Sequence, residues 1–303
     1  MSSLNVFNGA KVLITGHNGF KGTWLSTWLL RLGAEVTGVS LDISTEPSHY
    51  LHSELDNLLD SRKIDIRDYS EISSVISDVK PDFVFHLAAQ ALVRESYNNP
   101  IDTWQTNTIG TLNVMESLRL LDNHCIAVMI TSDKAYDNVE WEWGYRETDA
   151  LGGPDPYSGS KGAAELAIRS HIKSFFPATH PVKFCVGRAG NVIGGGDWSK
   201  NRLIPDAVKQ WNDCKELLIR RPQAIRPWQH VIEPLTGYLQ LAQSISKNPA
   251  LSGPFNFGPN SHDAMSVQDV IKILQKDYVN GKVKFDAASS NFHESGLLTL
   301  DIS

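Results

Sequence analysis

The run Val12-Leu13-Ile14-Thr15-Gly16-His17-Asn18-Gly19-Phe20-Lys21-Gly22 decides the fold of this chain of 303 residues. An apolar, β-branched stretch leads without a break into a turn carrying glycines at 16, 19 and 22, and a helix-forming stretch follows. Each glycine meets a need of a strand–turn–helix that holds a pyrophosphate. Gly16 permits the tight turn, Gly19 lets the backbone approach the anion, and Gly22 allows close packing of helix on strand. The first amides of the helix, beside Asn18 and Phe20, then face the anion. Asp42 ends the second apolar run, where an acidic side chain suits ribose hydroxyls and repels a 2′-phosphate. No arginine lies between Ser40 and Thr45 to attract one. The reading is a dinucleotide site that prefers NAD to NADP.

Outward from this loop, short apolar runs alternate with longer helical stretches. Strands are predicted at Lys11–Thr15, Glu35–Ser40, Lys63–Asp65, Phe83–Leu87, Cys125–Thr131 and Val182–Ala189. Helices are predicted at Lys21–Leu32, Ser70–Asp78, Pro100–Leu121 and Tyr157–Ser174. Nearly all-apolar strands separated by helices imply a parallel sheet covered on both faces, the Rossmann-like, doubly wound α/β architecture. After Arg188 the rhythm changes. Gly and Pro gather in GNVIGGGDW and RRPQAIRPW, with helices predicted at Asn201–Asn212, Pro234–Ile245 and Ser266–Tyr278 and a strand at Leu217–Ile219. The chain divides on this reading into a dinucleotide-binding domain over residues 1–190 and a smaller substrate-binding region over 191–303.

Composition narrows the function classes. Twenty-eight basic against 34 acidic side chains, with no basic stripe, argue against a nucleic-acid binder. No window approaches the roughly 20 apolar residues of a membrane span. The N-terminus lacks the basic and apolar regions of a signal peptide. Cys125, Cys185 and Cys214 are odd in number and far apart, which fits a reducing compartment and no metal site. The cytoplasm is the expected location.

Tyr157 and Lys161 stand four apart on a predicted helix and so share a face. Phenol titrates at about 10, too high for a base near neutrality, and a neighbouring ammonium favours phenolate. Ser132 ends the fifth strand, at the sheet edge where doubly wound folds place ligands, and its hydroxyl can bond an alcohol under oxidation. Asp65 and Ile66 are placed to flank an adenine, or else serve as an ordinary strand end in which Asp65 or Asp68 caps a helix. His86 reads as a packed strand histidine.

TGHNGFKG, HLAAQ, TSDK and YSGSK, in this order, resemble the extended short-chain dehydrogenase/reductase family, whose members include sugar-nucleotide epimerases, dehydratases and decarboxylases. The longer strings TSDKAYDNVEWEWGYRETDALGGPDPYSGSK, RAGNVIGGGDW, NRLIPD and IRPWQHVIEP are similar to its 4,6-dehydratase branch. That resemblance implies a homodimer built through the helices Pro100–Leu121 and Tyr157–Ser174, an NAD-dependent lyase, and a nucleotide sugar as substrate, CDP-glucose foremost. Ala88 of HLAAQ joins the cofactor residues. Asp133 protonates a departing C6 hydroxyl by the same resemblance, and Lys134 stands where dTDP-glucose relatives carry a glutamate. Asn191 matches a diphosphate contact, Arg202 and Arg226 offer guanidinium groups to the same anion, and His230 faces the ribose or base. The ending LLTLDIS falls short of the family's final region, which implies a shortened C-terminus. The alternatives are a dehydratase or epimerase on another nucleotide sugar, and an inactive member that only binds dinucleotide.

Overall fold

The computed structural model describes residues 4–43, 45–285 and 295–303. Seven strands form one parallel sheet: β1 Lys11–Thr15, β2 Glu35–Ser40, β3 Asp60–Lys63, β4 Phe83–His86, β5 Cys125–Ile130, β6 Val182–Ala189 and β7 Pro254–Phe257. Their spatial order is β3-β2-β1-β4-β5-β6-β7. The order reverses between β1 and β4, and ligands of such sheets bind at that point beyond the carboxyl ends.

The period-2 alternation of β1 assigns its side chains to two cores. Val12 and Ile14 join Leu25 and Leu29 of helix α1 (Phe20–Arg31) on one face. Leu13 points the other way, into a core with Ile72, Val75 and Ile76 of α2 (Tyr69–Val79) and Val114, Met115 and Leu118 of α3 (Thr111–Arg119). Helix α4 (Pro156–Phe175) adds Ile168 to this second core. Asp155 caps α4 by accepting from Ser158 N at 2.9 Å, and Pro156 opens it at a position where no amide is needed.

Three expectations change. The third strand runs over Asp60–Lys63, not Lys63–Asp65, because it is a polar edge strand without an apolar signature. The helix expected over Pro100–Leu121 is broken: Pro100–Trp104 and α3 are joined by π-helical turns over Gln105–Gly110. Asn107 in these turns accepts from Gln90 N at 2.8 Å and donates to Gln90 O at 3.0 Å and Ser160 Oγ at 2.9 Å. The widened turn thus ties the HLAAQ loop to α4, in keeping with the placement of such turns at functional sites.

The division at residue 190 is also crossed. Helix α6 (Ile232–Lys247) covers the first core with Leu235, Tyr238 and Leu239, and β7 pairs with β6. The remaining C-terminal part has a core of its own from Ala207, Trp211, Leu217, Ile219 and Ile271, around α5 (Leu203–Asn212). Among the described residues no helix is long and apolar enough to cross a membrane.

Candidate active site

The glycine loop has the shape its sequence requires. Gly16 holds φ at +78°, and a Cβ there would lie 2.8 Å from Ala88 N, so Ala88 closes directly over the turn. A Cβ on Gly22 would meet Gly16 O at 2.0 Å, which fixes α1 against β1. At Gly19 the nearest atom to an added Cβ is Gly16 O, 3.4 Å away. That open side leaves room for a pyrophosphate, and Gly19 caps α1 without a side-chain hydrogen bond to its first amides. Asn18 holds the loop by donating to Leu41 O at 2.7 Å. Phe20 turns inward against the first core. These residues fit a dinucleotide.

The ribose end holds a group the sequence reading missed. Lys63, the last residue of β3, pairs with Asp42 at 2.7 Å. Residues 40–45 hold no cation, and the partner arrives from the next strand. Asp65 is engaged by Arg67, which donates to it from Nε at 2.8 Å and Nη2 at 2.6 Å. Its carboxyl is held below the ordinary range, first by these bonds. Asp68, not Asp65, caps the following helix. Ile66 is buried, and its Cδ1 lies 2.6 Å from where a Cβ on Gly110 would sit.

Ser132, Asp133, Tyr157 and Lys161 are all buried at the carboxyl end of β5. Ser132 Oγ donates to Asp133 Oδ1 at 2.9 Å and accepts from Lys134 N at 3.2 Å. Among the described residues Asp133 Oδ2 is buried with no hydrogen-bond partner. Burial raises the Tyr157 phenol above its ordinary value, opposed by hydrogen bonding with Ser132 and by Arg202. The expected lowering of Tyr157 by Lys161 is therefore not what the protein alone provides; loss of solvent outweighs the cations. Lys161 itself is lowered to about 8 by burial, against the pull of Glu165. Burial also lowers Lys134, helped by Arg226 and Arg202 and opposed by Asp133 and Asp155.

Behind these groups lies a buried ionic cluster. Arg188 donates to Glu165 through Nε at 2.8 Å and Nη2 at 2.9 Å, and through Nη1 to Tyr136 at 2.8 Å. Thr131 donates to the same Glu165 carboxylate. His86 bridges Thr15 at 2.8 Å and Thr111 at 3.0 Å, and burial lowers it to about 3, so it is a neutral packing residue. Among the described residues no group of three or more His, Cys, Asp or Glu is placed to hold a metal ion.

The substrate-side expectations divide. Arg202 precedes α5, donates to Ala91 O at 3.2 Å, and acts electrostatically on Lys134 and Tyr157. Arg226 also reaches Lys134 electrostatically, but its guanidinium donates to Ile225 O at 2.8 Å and to Ser295 O. Asn191 lies after β6 and accepts through its carbonyl from Gln229 N at 3.0 Å. His230 is exposed and faces Trp24 of α1, with ring centroids 6.3 Å apart.

A model of the family described as GDP-mannose 4,6 dehydratase matches residues 13–284. The chain belongs to that family. It is 45% identical to a CDP-glucose 4,6-dehydratase of Salmonella typhimurium, over 100% of this chain and 86% of that one. Among solved structures it superposes on an epimerase from Methanothermobacter thermautotrophicus with TM-score 0.81 and 22% identity, covering 94% of this chain and 82% of that one. A UDP-glucose 4-epimerase of Thermus thermophilus, solved with NAD, gives TM-score 0.78 at 20% identity, over 96% and 90% of the two chains.

Two further side chains beside these groups were passed over in the sequence reading. Lys21 of the glycine loop is lowered to about 8 by burial and by Arg202, while Asp133 opposes. It makes no hydrogen bond or ion pair among the described residues, and its ammonium lies 5.9 Å from the Tyr238 ring. A cation at a helix N-terminus runs against the helix dipole, and that mismatch was a readable signal. Arg94 donates through Nη1 to Asn201 at 3.0 Å, while its buried Nη2 has no partner among the described residues.

Proposed function

We propose that this protein is an NAD-dependent dehydratase that converts CDP-glucose to CDP-4-keto-6-deoxyglucose. The carrying observation is the pair that follows Ser132: a buried carboxyl with one oxygen unpartnered among the described residues, then a lysine held below its ordinary value. Oxidation at C4 alone needs Tyr157, Lys161 and Ser132. Loss of water across C5–C6 needs a base and an acid besides, and Lys134 and Asp133 fill those places. NAD, bound at the Gly16–Gly22 loop with Asp42 at its ribose, supplies the hydride acceptor for C4, the hydride source for C6, and a positive ring that favours phenolate.

The residues then act in sequence. Tyr157 takes the C4 hydroxyl proton while Ser132 orients that hydroxyl. The new C4 ketone acidifies C5, and Lys134 takes the C5 proton, with Arg202 and Arg226 opposing its recharging until the enolate forms. Asp133 protonates the C6 hydroxyl as it departs. Lys134 returns a proton to C5 as C6 is reduced. Arg202 and Arg94 bind the diphosphate through guanidinium groups, whose fork geometry suits that anion. A homodimer is supported by the exposed apolar side chains of Ile101, Trp104, Ile109, Leu120, Leu166 and Phe175 within residues 100–121 and 156–175.

The test is incubation with CDP-, dTDP-, GDP- and UDP-glucose, each followed by alkali and ultraviolet absorbance of the 4-keto-6-deoxy sugar. The reading expects the largest signal from CDP-glucose without net release of reduced dinucleotide. A 4-epimer or a net oxidised sugar as product would overturn it.

A further inference from the structure

The end of β2 is tied to the glycine loop just before Asp42. Ser40 Oγ bonds His17 Nδ1 at 2.9 Å, and Asn18 Nδ2 donates to Leu41 O at 2.7 Å. Strand β3 runs parallel to β2 with Lys63 in register with Ser40, and Ile64 N donates to Ser40 O at 3.0 Å. Successive side chains of a strand point to opposite faces. Ser61 reaches His17 Nε2 at 2.9 Å, so Ser61 and Lys63 share the face of β3 that looks toward the glycine loop. Arg62 takes the other face, where it pairs with Asp78 of α2 at 2.7 Å. Lys63 is thus a cation that β3 delivers to the dinucleotide side, at the carboxyl end of the sheet where ligands of this fold bind.

Lys63 Nζ lies 2.7 Å from Asp42 Oδ2, and both side chains are mostly exposed, at 67% and 78%. An ion pair so open to water is held weakly, so the ammonium changes partner at little cost. Asp42 by itself accepts from ribose hydroxyls and repels a 2′-phosphate, which carries about −1.5 to −2 charges at pH 7. An ammonium beside that carboxylate offsets the repulsion and offers the phosphate a charged donor of its own.

We propose that Lys63 sets how strictly the site chooses between dinucleotides, turning from Asp42 to a 2′-phosphate and so admitting NADP where the carboxylate alone would admit only NAD. The inference rests on the placement of Asp42 at the ribose given above. NAD, with its 2′-hydroxyl, engages the carboxylate in competition with Lys63. With NADP the ammonium stands between phosphate and carboxylate. The preference for NAD remains, and Lys63 limits its size. Because the hydride taken from C4 is returned at C6, either dinucleotide serves the same redox-neutral turnover.

The experiment is fluorescence titration of the full chain with NADH and NADPH, at low and high salt. It is repeated for Lys63→Met, Lys63→Arg, Asp42→Asn and the double variant Asp42→Asn/Lys63→Met. Lys63→Met is expected to weaken NADPH by about tenfold to a hundredfold, the range of one charge-assisted hydrogen bond, while NADH binds as before or more tightly. Lys63→Arg keeps the cation and holds NADPH near the wild-type affinity. High salt narrows the gap between wild type and Lys63→Met for NADPH. Asp42→Asn tightens NADPH, and adding Lys63→Met removes that gain. A Lys63→Met chain that loses both dinucleotides by the same factor, or neither, overturns the inference and leaves Asp42 at the ribose. So does a double variant that keeps the full NADPH gain. An Asp42→Asn chain with wild-type affinity for both dinucleotides removes the ribose placement and the inference with it.

Discussion

Replacing Arg188 with Met would strand the Glu165 carboxylate in the interior. Both side chains are almost fully buried, at 3% and 4% exposure, and Arg188 supplies two of the hydrogen bonds on that carboxylate. Burial works against the guanidinium's charge, yet Glu165 and Tyr136 together raise it above its ordinary value, so Arg188 keeps its charge in the folded protein. Removing one partner of a buried pair costs about 3–5 kcal/mol, because the remaining charge keeps its desolvation penalty and loses its compensation. For a chain of 303 residues that is a fall of about 6 °C in Tm. Adding Glu165→Gln removes the stranded charge while Thr131 still finds an acceptor, so the double variant should regain about 2 kcal/mol. Equilibrium unfolding in urea of the wild type, both single variants and the double variant closes the cycle. An Arg188→Met loss below about 1 kcal/mol, or no recovery in the double variant, would refute the claim that this cluster holds β6 to α4.

Tyr157→Phe removes the phenolic base and should lower turnover by about 100- to 10,000-fold with little change in substrate affinity, checked by steady-state kinetics and calorimetric titration. Lys161 is depressed from 10.5 to about 8, so the unfolded chain binds the extra proton between those values and stability climbs with pH across that window. Lys161→Met should therefore be more stable than wild type near neutrality, by up to about 3 kcal/mol, and should lose part of the climb in unfolding curves taken at successive pH values. Asp42→Ala releases Lys63 from its ion pair and removes the repulsion toward a 2′-phosphate, so NADP affinity relative to NAD should rise about tenfold or more in fluorescence titrations.

Local chemistry made the glycine loop, the apolar strands and the Tyr157–Lys161 face readable, because each is written within about one turn or one strand of sequence. Strand β7 escaped because Pro254-Phe-Asn-Phe is short, begins with proline and pairs with a strand far back in the chain. The edge strand Asp60–Lys63 escaped for the opposite reason, its side chains being polar and mostly exposed. The break inside Pro100–Leu121 depends on Asn107 reaching Gln90 and Ser160 across the fold, which helical propensity cannot express. In the site, Ser132 and Asp133 are chain neighbours, so their contact was written in the sequence. The Asp42–Lys63 and Arg188–Glu165 pairs each join different elements, and only folding brings them together. Arg226 was legible as a cation near the site but not as a side chain bonded to the backbone of residues 295 and 296.

The central claim is that Asp133 and Lys134 serve elimination while Tyr157 serves oxidation. It is tested most directly by mass analysis of CDP-glucose recovered from Asp133→Asn in deuterated water. The amide keeps the shape of the carboxyl and withholds its proton from the C6 hydroxyl. The account predicts deuterium at C5 of recovered substrate and almost no 4-keto-6-deoxy product, since C4 oxidation and C5 deprotonation by Lys134 continue without the final departure. Recovered substrate free of deuterium, from a variant that still binds NAD and unfolds at the wild-type temperature, would contradict it by placing Asp133 in oxidation or binding.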